Sequence, residues 1–121
     1  LLEVKQSKYG RGVFATHDIQ KGELIHTAPV IIVPNEEFDY LYKTILSNYF
    51  FYWGKNKDCA IALGYGSLFN HSYTPNAKYK YRIEDETIEF YAHTDIKSED
   101  EIVVNYNGNP EDKTPVWFEV L

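Results

Sequence analysis

Cysteine is almost missing from these 121 residues, with only Cys59, and methionine is missing altogether. A single thiol excludes an intrachain disulfide framework and any cysteine-rich zinc cluster, and it fits a reducing compartment. Basic residues are also short: 12 Lys and Arg face 18 Asp and Glu, for a net charge of −6. That balance argues against phosphate-backbone binding as the main activity, so no direct nucleic-acid contact is expected. It suits a cationic partner, and it suits plain solubility equally well. No apolar run approaches the ~20 residues of a membrane-spanning helix. The start, Leu1-Leu2-Glu3-Val4-Lys5, has no signal-peptide layout. The expectation is an intracellular protein, cytoplasmic or nuclear, neither secreted nor membrane-bound. No low-complexity stretch or linker divides the chain, so a single domain over 1–121 is expected.

Aromatic residues are abundant instead, at 17%, with eleven Tyr and seven Phe. Eleven phenols exceed what a core requires, because each buried hydroxyl wants a partner, so some are expected to line a groove or channel. Residues 1–33 read as short strands broken at Gly10-Arg11-Gly12 and Lys21-Gly22 and closed by Pro29 and Pro34. Segment 35–46 reads as the one helix. Asn35 is its expected N-cap, and Phe38, Leu41, Tyr42 and Ile45 its buried face. Tyr49–Trp53 and Cys59–Leu63 read as strands about a turn. Lys78–Ile83 and Thr87–Ala92 alternate as a hairpin about Glu84-Asp85-Glu86. The stretch beginning Asp18-Ile19 resembles the one beginning Asp95-Ile96, allowing one inserted residue; each is a polar turn feeding a strand.

Three segments could carry chemistry. Gly10-Arg11-Gly12-Val13-Phe14-Ala15 has the glycine spacing of a dinucleotide site, but no helix or parallel βαβ alternation follows it. The open readings are a tight turn and a backbone that lets some other ligand approach. Leu68-Phe69-Asn70-His71-Ser72-Tyr73-Thr74-Pro75-Asn76 runs from apolar residues straight into an amide and an imidazole, groups that are costly to bury unused. It is either an Asx-turn or a ligand site. No hydrolase elbow surrounds Ser72, no motif supports a Cys59/His71 nucleophile pair, and the four histidines lack ligand spacing, so no metal is expected. Glu101–Tyr106 is a strand ending in a turn, with a phenol beside it.

Taken in order, these three segments resemble the SET-domain family of protein lysine methyltransferases. The turn at 18–24 is similar as well, so the likeness spans roughly residues 5–108. It implies a mainly β fold: a β-clip of short curved sheets, a knot-like C-terminal crossing, and one helix in a variable insert, 35–58, that helps select substrate. It implies S-adenosylmethionine as cofactor, along Gly10, Arg11 and Gly12, with Asn70 and His71 holding its amino-acid end and adenine. Tyr106 is then the catalytic phenol, with Tyr79 beside it. Tyr65, Val104 and Tyr106 line a channel for a lysine from a basic protein or peptide. Family members often close the site with a three-cysteine zinc segment, which this chain cannot form. The closing segment is then 107–121, with Trp117 or Phe118 over the cofactor. Two positions depart from the family pattern: Asn105 stands where Asp is common, and Val104 where an aromatic residue is common.

The residues suit methyl transfer on their own terms. An in-line displacement at a sulfonium needs alignment and a neutral amine. A lysine of pKa ~10.4 is only about 0.04% neutral at pH 7, a cost of about 4.6 kcal/mol. A tyrosine-lined, water-poor channel beside a positive sulfonium disfavours the ammonium form. The alternative is a catalytically silent module of the same shape that binds a basic peptide or a partner protein.

Overall fold

The computed structural model of the protein describes residues 1–120. Two curled sheets enclose one core. β1 (Leu2–Ser7) and β2 (Gly10–Ala15) form a hairpin. Gly10-Arg11-Gly12, expected to break the chain, instead opens β2 in register with Ser7, Gln6 and Lys5. The turn lies at Lys8-Tyr9, and Gly10 absorbs it at φ +101°. β3 (Leu24–Val33) is long because it serves two partners: β8 (Thr87–Ala92) as far as Pro29, and β5 (Asp58–Ala62) from Val30 onward. Pro29, expected to end a strand, sits at this handover, where its missing N–H is tolerated. β4 (Phe50–Trp53) and β7 (Ala77–Arg82) complete a five-stranded sheet in the order β4-β5-β3-β8-β7.

The second sheet joins the two information-rich segments. β6 (Asn70–His71) runs parallel to β9 (Glu101–Val104), pairing Asn70 with Val103 and His71 with Val104. The order β1-β2-β9-β6 sets the glycine strand on the other side of β9. Asn76 secures this junction. Its amide donates to the Glu101 carbonyl at 2.9 Å and accepts from the Val103 N–H at 2.9 Å, so one side chain does the work of a strand. Beneath the sheets, Val13, Phe69, Ile88, Phe90, Ile96, Ile102 and Val104 are fully buried.

The two similar stretches face each other about a local pseudo-twofold. Ile19 and Ile96 exchange backbone bonds at 2.7 and 2.8 Å. The Asp95 carboxylate caps the Lys21 N–H, and the Asp18 carboxylate caps the Ser98 N–H. The correspondence holds without the inserted residue, and it places Glu99 (φ +78°) where its counterpart is Gly22 (φ +91°).

The helix over 35–46 does not form as one element. A 3-10 turn at Asn35–Glu37 leads into α1 (Phe38–Tyr42), and a second 3-10 turn follows at Ile45–Asn48. Thr44 divides them: its hydroxyl donates to the Leu41 carbonyl at 2.7 Å and accepts from the Leu46 N–H at 3.2 Å, replacing the helical ladder. Asn35 is not an N-cap, since no side-chain cap exists there and its own N–H binds the Asp58 carboxylate. Of the expected buried face only Leu41 is buried, while Tyr42 and Ile45 lie largely in solvent. The alternating stretch read as Lys78–Ile83 forms β7 only as far as Arg82, and Ile83 beyond it is exposed. Among the described residues no helix is long and apolar enough to cross a membrane.

Candidate active site

Where β6 and β9 run side by side, Asn70 joins one hydrogen-bonded cluster and His71 joins Tyr106 in another. Asn70 Nδ2 reaches three acceptors: Glu101 Oε2 at 2.7 Å, the Arg11 carbonyl at 3.0 Å and Ser7 Oγ at 3.1 Å. These contacts tie β6 to β1, β2 and β9. The absence of a side chain at Gly12 is what makes room for them, because a Cβ there would run into the Glu101 carboxylate and the Asn70 amide. Gly12 therefore serves the protein's own side chains. Asn70 Oδ1 takes no part in these bonds, which leaves a carbonyl acceptor for a donor such as an ammonium group.

His71 is buried, at 2% exposure. Its Nδ1 accepts the Tyr106 backbone N–H at 2.9 Å, so in the neutral ring the proton sits on Nε2. Burial lowers its pKa and keeps it neutral. That Nε2 is buried without a hydrogen-bond partner among the described residues, and an orphaned buried donor calls for a ligand or a water. The unpartnered His71 Nε2 offers a donor and Asn70 Oδ1 an acceptor from successive residues of β6, and these groups suit a polar cofactor carrying both acceptors and donors.

Tyr106 closes the other side. Its hydroxyl donates to the Phe69 carbonyl at 2.7 Å. Burial first, then the neighbouring Tyr49 and Tyr79 phenols and the Glu101 carboxylate, push its pKa upward. The ring forms one wall of a pocket of about 410 Å³ whose lining includes Phe51, Tyr79, Tyr81, Val104 and Trp117. No described lining residue is charged. Tyr79 contributes a ring in edge contact with Phe51 at 5.4 Å and a hydroxyl 3.4 Å from the Tyr106 carbonyl; burial pushes its pKa up to about 12. Phenols held neutral in this way present aromatic faces and lone pairs without bearing charge.

The expected residues therefore divide into two groups. Tyr79, Val104, Tyr106 and Trp117 meet at the aromatic pocket. Gly12, Asn70 and the Arg11 carbonyl meet around Glu101, with Gly10 exposed at the strand start. His71 belongs with the aromatic group, where it holds the Tyr106 backbone N–H. Tyr65 joins neither group: its backbone N–H binds His26 Nε2 at 3.1 Å and its ring packs edge-on against that imidazole. Trp117 stacks on Tyr106 at 5.7 Å, and Phe118 lies against His71 at 6.0 Å. Sequence reasoning named no site role for Glu101, Phe51, Tyr81 or Tyr73. Glu101 and Tyr73 lay inside the chemistry-bearing segments, and Tyr81 stood beside Tyr79 on the alternating strand.

Comparison with known proteins agrees with this geometry. The SET domain family model matches residues 10–107. The chain is 32% identical to a Schizosaccharomyces pombe histone-lysine N-methyltransferase specific for H3 lysine-37, over 98% of this chain and 77% of that protein. It resembles a crystal structure of a Plasmodium falciparum protein proposed to be a histone methyltransferase: TM-score 0.72, 28% identity, 90% of this chain and 99% of that one. The fold also matches a chain of an apo ctPRC2 assembly with substitutions in Ezh2: TM-score 0.75, 22% identity, 88% of this chain and 15% of that one.

Proposed function

The chain belongs to the SET-domain family of protein-lysine methyltransferases, and on that premise we propose that it methylates a lysine of a protein substrate from S-adenosylmethionine, with Tyr106 as the catalytic phenol. In this reading residues 1–121 form one SET domain, with 35–58 as the insert that selects substrate and 107–121 as the closing segment. Asn70 Oδ1 and His71 Nε2 hold the cofactor, alongside Gly10, Arg11 and Gly12. Bound there, S-adenosylmethionine supplies an electrophilic methyl group on a sulfonium. Tyr79, Val104 and Tyr106 line the lysine channel, and Trp117 forms part of its wall.

What carries the reading is the placement of Tyr106. Its N–H is held by His71, its hydroxyl by the Phe69 carbonyl, and its ring faces an uncharged aromatic pocket. The hydroxyl proton is committed to Phe69, so the phenol oxygen turns lone-pair density toward the pocket. The aromatic walls attract an arriving ammonium through their faces and then penalise its charge by excluding water, which favours loss of the proton. No acidic side chain among the described lining residues takes that proton, so it leaves to solvent as the amine is buried. The likeness to a histone-modifying relative supports a basic substrate and an intracellular, nuclear place of action. The acidic stretches Glu84-Asp85-Glu86 and Glu99-Asp100-Glu101 supply attraction away from the uncharged pocket.

Tyr106→Phe is the direct test. Cofactor affinity by calorimetry should stay within a few-fold, while turnover on basic protein substrates should fall by about 10²-fold or more, the scale of a lost polar group positioned at the reacting atoms. A folded variant that binds cofactor and methylates at the parent rate would remove Tyr106 from the mechanism.

A further inference from the structure

We propose that Tyr73 is a positioning residue: together with Asn105 it latches the C-terminal segment over the site. The proposal rests on the function given above. After β9 the chain has no regular secondary structure from Asn107 to Val120, so no ladder holds it in place. Side chains supply the anchors instead. Asn105 Nδ2 donates to the Asp112 carbonyl at 2.7 Å, and Asn107 Nδ2 to the Thr114 carbonyl at 2.8 Å. Lys113 Nζ donates to the Tyr73 carbonyl at 2.9 Å, and the Val116 N–H donates to the Tyr73 hydroxyl at 3.1 Å. Val116 immediately precedes Trp117 and Phe118, so this last bond sets where the two rings land.

They land on the site. Trp117 stacks on Tyr106 with an interplanar angle of 18°, and Phe118 packs edge-on against both His71 and Tyr9. Tyr73 itself stands edge-on to His71 at 4.5 Å. One side chain therefore braces the imidazole that carries the orphaned Nε2 and also holds the segment that covers it. Asn105 suits the same device. It is buried at 2% exposure and accepts the Asn107 N–H through Oδ1. A carboxylate in its place could accept that bond but has no proton to give the Asp112 carbonyl.

Removing only the Tyr73 hydroxyl should loosen the segment and leave the sheets alone. Tyr73→Phe should raise the KM and Kd for S-adenosylmethionine by about 3- to 10-fold, the scale of one net hydrogen bond, with kcat at saturating cofactor within about 2-fold. A purely structural loss would do the reverse, lowering the active fraction and hence kcat with KM unchanged. Fluorotryptophan labelling separates the latch from the chemistry, because fluorine NMR reads Trp117 in the free protein; Trp117→Phe assigns its signal. Tyr73→Phe should move and narrow the Trp117 signal while buried Trp53 stays in place. Lys113→Met, an exposed change, should do the same more weakly. An unmoved Trp117 signal in Tyr73→Phe overturns the latch, and so does a moved signal with unchanged cofactor KM and Kd. A parent protein that binds no S-adenosylmethionine and methylates nothing overturns the functional reading, while the Trp117 signal still reports on the tether.

Discussion

Asn70→Asp alters almost no volume, yet it turns the shortest of Asn70's three contacts from attraction to repulsion. In the parent, Asn70 Nδ2 donates to Glu101 Oε2 at 2.7 Å. In the variant two carboxylates would face each other there. The lost bond to a charged acceptor costs about 1.5–3 kcal/mol. Two like charges about 4 Å apart repel by about 4 kcal/mol at the effective dielectric of a partly solvated site. The repulsion also has a ceiling: an ordinary carboxyl of pKa ~4 takes up a proton at pH 7 for about 4 kcal/mol and at pH 5 for about 1.4. A protonated pair regains the hydrogen bond, so that ceiling bounds the whole loss, and a deficit of about 3–4 kcal/mol is expected at pH 7. The introduced carboxyl has a folded pKa above its unfolded one. Its fold is therefore least disadvantaged below the unfolded value, near pH 4, and the deficit grows as pH rises through the folded value. Urea denaturation of parent and variant from pH 4.5 to 8 reads this directly as a gap that widens with pH. Adding Glu101→Gln should close most of the gap, because the new amide can donate to the carboxylate. A gap that does not change with pH, or no recovery in the double variant, would refute the network as described.

Three further outcomes follow from the same structure. His71 and His26, which accept backbone N–H groups from Tyr106 and Tyr65, both have lowered pKa values caused first by burial. The unfolded chain therefore binds protons that the folded one refuses, and the parent's stability should fall as pH drops below about 6.5; a flat Tm between pH 7.5 and 5.5 would count against it. Gly66→Ala puts a methyl 2.7 Å from the Ala28 and Ala62 side chains, so it should cost about 1–3 kcal/mol through overpacking, and an unchanged urea midpoint would contradict the packing. Thr44→Ala removes the hydroxyl that separates α1 from the following 3-10 turn and should lower stability by about 1 kcal/mol; a neutral result would mean that the break has another cause.

The order of the chemical segments could be read directly from the chain. Asn70-His71 behind an apolar run, Glu101–Tyr106 behind a turn, and the alternating strand carrying Tyr79 and Tyr81 are local patterns, and local patterns survive into sequence. The same holds for the hairpin over Ala77–Ala92 and for the strands about the 54–57 turn. The insert was misread for a related reason: its apolar spacing suited a helix, but a single hydroxyl at Thr44 and solvent at Tyr42 and Ile45 decided otherwise.

Other features depend on which strands become neighbours, and periodicity does not encode that. The parallel pairing of β6 with β9 brings His71 to the Tyr106 backbone across 35 positions. Residue type left Gly12 open between a tight turn and a backbone that admits a ligand; the tertiary structure puts Glu101 and Asn70 in its empty side-chain space. In the sequence Tyr65 and Tyr79 are both simply phenols, yet the turn after β5 sets Tyr65 against His26 while β7 carries Tyr79 to the pocket. Tyr73 had no pattern of its own, since its partners Lys113 and Val116 lie about forty residues away in a segment without periodicity. Sequence by itself determined the chemical groups and their order, because type and local spacing are properties of the chain. Only the tertiary structure decided which groups touch, because each such contact joins segments that the chain holds far apart.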